Sequence, residues 1–70
     1  MQNFEWEEPV AISGTVKAKT EMAILLVIEE EDTEVWLPIS RIDTYDKLEV
    51  GNYVDIEIPY WLARDKGVDP

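Results

Sequence analysis

The chain has 70 residues, enough for one domain with a small core. Sixteen acids stand against six bases, a net charge of −10, and there is neither cysteine nor histidine. This excludes disulfide staples, thiolate chemistry and imidazole ligands or bases, and the average field repels a polyanion such as DNA or RNA.

Hydrophobic residues make up 46% of the chain, three of them Trp, which allows folding without staples. The charge is uneven: residues 1–34 carry −7 and residues 35–70 carry −3. No apolar segment reaches the roughly 20 residues of a spanning helix. The opening "MQNFEWEEPV" has neither the basic leader nor the apolar stretch of a signal peptide, and the lack of cysteine permits a cytoplasmic location.

In chain order, residues 1–9 read as an arm, with Phe4 and Trp6 alternating with Glu5 and Glu7. A strand over 10–19 follows, with Val10, Ile12, Val16 and Ala18 on one face and Ala11, Ser13, Thr15, Lys17 and Lys19 on the other. Gly14 interrupts the apolar face, as a bulge or sharp bend does. After a turn at Thr20-Glu21, "MAILLVIEE" is apolar and branched, and "EVWLPI" mirrors it, so the pair reads as a hairpin. A four-residue loop over 30–33 pairs Ile28 with Val35, Val27 with Trp36 and Leu26 with Leu37. Ile24, Leu26, Ile28, Val35 and Leu37 then face the core.

The other hairpin face carries Ala23, Leu25, Val27 and Trp36. A sheet with one buried face is polar on its second side, and this side is not. The expectation is therefore a lid over Trp36. Pro38 ends or bulges the ladder, and "ISRIDTYD" is a connector anchored by Ile39 and Ile42. Leu48 and Val50 lead to a Gly51-Asn52 turn. In the next strand Val54, Ile56 and Ile58 face in, while Tyr53, Asp55 and Glu57 face out. Pro59 opens a two-turn helix over 59–67 that Gly67 ends. So short a helix has to dock. The expected place is the outer hairpin face, with Trp61 and Leu62 bringing the lid and Trp61 near Trp36; the arm with Phe4 and Trp6 is the rival cover. On this reading Trp36→Ala costs about 3 kcal/mol or more. The fold class is all-β: a small SH3-like or OB-like barrel of about five strands with a short C-terminal α-helix, one domain over 1–70.

No catalytic or cofactor motif stands out. Ser13 and Ser40 lack a nucleophile-elbow context and a histidine base. The run Glu29–Glu34 lacks the glycine and the length of a calcium loop, so no metal site is read there. Two binding surfaces remain open. Glu29, Glu30, Glu31, Asp32 and Glu34 with Tyr45 and Tyr53 form a candidate protein-binding surface, which could also mimic DNA. Lys17, Lys19, Arg41, Arg64 and Lys66, with Trp6, Trp36, Tyr45, Tyr53, Tyr60 and Trp61 as stacking platforms, form a candidate single-stranded nucleic-acid patch that the net charge disfavours. A third reading covers Trp36 by homodimerisation.

The segments "EVWLPISRI" and "IEIPYWLARDKG" resemble a family of small phage and prophage proteins. Its pattern runs valine-tryptophan-(isoleucine or leucine)-proline-x-serine-x-isoleucine, then proline-x-tryptophan-leucine-alanine-x-x-lysine-glycine. Val35, Trp36, Leu37, Pro38, Ser40 and Ile42 match the first part; Pro59, Trp61, Leu62, Ala63, Lys66 and Gly67 match the second. Arg41 replaces a more usual uncharged residue and Tyr60 an acid. The resemblance covers roughly the last two thirds of the chain. It implies a phage origin, a host-cytoplasm location and an accessory role in DNA metabolism; on the protein-binding reading the task is phage replication, recombination or counter-defence. It carries over no activity and no functional residue.

Overall fold

A computed structural model describes residues 7–68. The anticipated arm falls largely outside them. Four strands and one helix follow in order: β1 (Pro9–Lys19), β2 (Ala23–Ile28), β3 (Thr33–Pro38), β4 (Tyr53–Pro59) and α1 (Tyr60–Lys66). All pairings are antiparallel, and the sheet order is β3-β2-β1-β4. Among the described residues the sheet does not close. Among the described residues a fifth strand is reduced to a single bridge, Asp43 with Glu57. Most of the connector after Pro38 is irregular: it makes a 3-10 turn at Ile39–Arg41 and presses Ile42 and Leu48 on the core while leaving Val50 exposed.

The alternating residues place the core as the sequence suggests. Val16, Ile24, Leu26, Ile28, Val35, Leu37, Val54, Ile56 and Ile58 are buried in one cluster. Gly14 sits where β1 passes tightly over β2: a Cβ there would lie 2.3 Å from the carbonyl oxygen of Val27. Its role is close approach, and the register irregularity in β1 falls further on, between Val16 and Ala18. Beyond Gly14, Val16 also ties the Gly51-Asn52 turn to β1, donating to Asn52 O at 2.9 Å and accepting from Gly51 N at 2.8 Å.

The hairpin register differs from expectation. Ile28 pairs with Thr33, Leu26 with Val35, Leu25 with Trp36 and Ile24 with Leu37. The loop is Glu29–Asp32: a 3-10 turn over Glu29–Glu31, then Asp32 in the left-handed region at φ 53°. An aspartate tolerates that conformation better than most residues. The pairing is thus shifted by two positions, and since the strand period is two, every side chain keeps its face.

The helix is where the structure departs most from the sequence reading. Pro59 does not open α1; it ends β4 opposite Pro9, and the Tyr60 N–H continues the ladder by donating to Glu8 O at 2.8 Å. At the other end Gly67 (φ 76°) donates to Arg64 O at 3.1 Å, and Val68 donates to Ala63 O at 2.9 Å. This is a Schellman cap, and its companion apolar contact, Val68 with Ala63, is buried. Leu62, Ala63 and Val68 face the core, so α1 packs against β4 and β1 and does not cover Trp36. Trp61 lies partly buried on the core, with the Arg41 guanidinium 5.8 Å from its ring centroid. Trp36 is left 45% exposed.

Candidate protein-interaction surfaces

The outward face of β4 carries Tyr53, Asp55 and Glu57, beside Ala11, Ser13 and Thr15 of β1. Hydroxyls fix the carboxylates. Ser13 donates to Asp55 Oδ1, and Thr15 Oγ1 donates to Glu29 Oε2 at 3.1 Å. The free edge of β4 is closed by the connector. Asp43 and Glu57 exchange backbone hydrogen bonds at 2.8 Å. Thr44 Oγ1 donates to Asp55 O at 2.6 Å, and the Asp55 N–H donates to Asp46 Oδ2 at 2.9 Å. Asp46 in turn donates its N–H to Thr44 Oγ1 at 3.0 Å, a local turn that aims its carboxylate at the strand. A sheet edge that would invite another chain is thereby satisfied from within.

Two hollows share Ala11 on this face. One, of about 290 Å³, is lined by Ser13, Glu29, Glu30, Glu31 and Tyr53 together with Ile12, Ile28 and Val68. The other, of about 310 Å³, is lined by Asp43, Thr44, Tyr45, Asp55 and Glu57. Neither is lined by a lysine or arginine. Tyr53 is 62% exposed, and Tyr45 stands fully in solvent. The structure therefore brings Glu29, Glu30, Glu31, Tyr53 and Tyr45 onto one surface, as the sequence suggests. Two of the sequence candidates lie elsewhere: Glu34 on β3 and Asp32 at the tip. Sequence reasoning misses Ser13, Asp43, Asp46 and Asp55, whose meeting depends on the β1–β4 pairing and the return of the connector. No group of three or more acids among the described residues is placed to hold a metal ion.

The second surface is apolar. A groove of about 540 Å³ is lined by Met22, Ala23, Trp36, Pro38, Ile39 and Lys66, among others. Thr20 shapes it: its Oγ1 accepts the N–H groups of Met22 at 3.2 Å and Ala23 at 3.0 Å. The turn leaves the Met22 side chain exposed beside the indole. Met22 goes unnoticed in the sequence because it reads as the first residue of an apolar strand.

The five cations of the anticipated nucleic-acid patch are divided. Lys17 reaches across β2 to Glu34 at 2.7 Å, an exposed pair worth about 0.2–1 kcal/mol. Arg41 sits over Trp61 and lines a hollow with Glu7, Asp43 and Glu57. Lys66 lines the separate Trp36 groove. Arg64 is on the exposed side of α1, and Lys19 is exposed at the end of β1.

Comparison of the chain with protein-family models, with curated proteins and with solved structures finds no match. The phage-protein resemblance thus stands on its residues alone. Of these, Val35, Leu37, Leu62 and Ala63 are buried and Gly67 caps α1, while Trp36, Pro38, Ser40 and Lys66 line the apolar groove.

Proposed function

We propose that this chain is a non-enzymatic accessory protein that binds another protein through its acid-and-tyrosine face. The observation that carries the reading is the placement of Tyr53 and Tyr45 among Glu29, Glu30, Glu31, Asp43, Asp55 and Glu57, in two hollows that no cation lines. Tyrosines supply rigid contact area with a polar tip, and interfaces are enriched in them. The surrounding acids select and steer a basic partner surface, including one that otherwise holds nucleic acid. In this reading the fold is a small barrel of the SH3-like or OB-like kind in which no strand among the described residues closes β3 onto β4. The phage resemblance directs the search for the partner to replication, recombination or host-defence proteins in the host cytoplasm.

A single-stranded nucleic-acid binder is the alternative, favoured by one observation: Trp36 stands exposed beside Lys66. Capture from host lysate, with and without nuclease, separates the two. The protein-binding reading expects a nuclease-resistant partner that is lost with Tyr45→Ala/Tyr53→Ala. Loss of capture on nuclease treatment, together with oligonucleotide binding that weakens steeply with salt, supports the alternative and contradicts the first reading.

A further inference from the structure

The sheet has two edges, and they are treated differently. The β4 edge is closed by Asp43, Thr44 and Asp46, as described above. The β3 edge has no partner among the described residues. Which of its groups point outward follows from the ladder. The Ile39 N–H donates to Met22 O at 2.8 Å, which makes Met22 and Ile39 a hydrogen-bonded position. Hydrogen-bonded pairs recur every second residue, so Leu37, Val35 and Thr33 turn their backbone groups toward β2. Glu34 and Trp36 turn theirs away from the sheet. Pro38, the next outward position, has no N–H to leave unpaired.

We infer that this edge pairs with the same edge of a second copy, antiparallel about a two-fold axis at Val35. The outward groups are self-complementary in that register. Glu34 of each copy lies opposite Trp36 of the other, and the outward N–H and C=O groups of both residues find partners. Val35 meets its twin on the core side. The two Trp36 indoles become diagonal neighbours on the outer face, about 7–8 Å apart by backbone spacing and within reach of aromatic rings. Each then covers part of the indole that the monomer leaves exposed.

Charge selects a second copy as the occupant. The edge is acidic where β3 begins, at Glu30, Glu31 and Asp32, and has Lys66 beside Pro38 where β3 ends. Antiparallel pairing about Val35 sets Asp32 of one copy opposite Pro38 of the other, and so near its Lys66. A uniformly basic peptide would meet Lys66 at one end of the edge, and a uniformly acidic one would meet the tip at the other. This surface is separate from the Tyr45–Tyr53 face, so the inference stands or falls independently of the proposed partner.

Sedimentation equilibrium of the full chain, paired with amide hydrogen exchange, tests it. The expected result is a reversible monomer–dimer equilibrium. The Glu34 and Trp36 amides gain protection as concentration rises, while the Tyr53 amide does not change. Glu34→Pro removes an outward donor without touching a bond to β2, and is expected to weaken the dimer at least about tenfold. Lys66→Glu, on the exposed side of α1, places like charges together and is also expected to weaken it; it carries the test if Glu34→Pro fails to fold. A chain that stays monomeric at about 1 mM overturns the inference. So does a dimer indifferent to both substitutions, or concentration-dependent protection that appears elsewhere than at Glu34 and Trp36.

Discussion

Trp36 and Leu37 are neighbours on β3 that face opposite ways, and truncating each to Ala reads out which face is the core. Leu37 is fully buried in the main cluster. Removing its side chain leaves an enclosed void, at a cost of about 3–4 kcal/mol. Trp36 is larger but 45% exposed, so only about half of it is covered. A fully buried Trp costs about 3–5 kcal/mol on truncation. Scaling by the covered share, and leaving a gap open to water instead of a cavity, gives about 1.5–2 kcal/mol for Trp36→Ala. That is well below the value expected for a Trp under a helical lid. Urea unfolding followed by circular dichroism measures both. A domain of 70 residues has roughly 4–10 kcal/mol in all, so Leu37→Ala is expected to sit near the edge of folding while Trp36→Ala folds well. Equal losses, or a larger loss for Trp36→Ala, would refute the assignment of faces.

Gly14→Ala forces a methyl to 2.3 Å from the Val27 carbonyl oxygen, so β1 and β2 have to part; we expect a loss of about 3 kcal/mol or more by chemical denaturation. Gly51→Ala meets no atom within 4 Å and is expected to lose only about 1 kcal/mol, from its positive φ. Glu30→Gln/Glu31→Gln relieves like-charge crowding at an exposed tip, and the melting temperature is expected to hold or rise slightly; a clear fall would reveal a structural role for these acids. Gly67→Ala strains the left-handed cap of α1 and is expected to lose about 1 kcal/mol, seen as a lower urea midpoint.

Alternation made the strand faces legible. Val54, Ile56 and Ile58 in β4, and Ile24, Leu26, Ile28, Val35 and Leu37 in the hairpin, are buried where a period of two puts them. That same period hid the shift of two positions in the hairpin, because it changes no face. The apolar outer side of the hairpin carries no helical lid, and Trp36 stays 45% exposed. Leu25 and Val27 are half-buried within the sheet, and a folded surface retains much apolar area without requiring a cover. The docking side of α1 did have a local signal, the valine just past Gly67. An apolar residue there closes a Schellman cap against Ala63 and turns that side of the helix inward. Of the candidate site, the tyrosines and the tip acids could be read from their exposure pattern. The network of Ser13, Asp43, Thr44, Asp46 and Asp55 could not, since it joins residues brought together only by long-range pairing.

The central claim is that α1 seals the core side of the sheet and leaves the indole of Trp36 outside. A nuclear Overhauser map of the helix tests it most directly. The account predicts contacts from the methyl groups of Leu62, Ala63 and Val68 to those of the Ile56 and Ile58 cluster, with none between the rings of Trp61 and Trp36. Strong contacts between those two indoles, with the methyls of α1 silent toward β4, would contradict it.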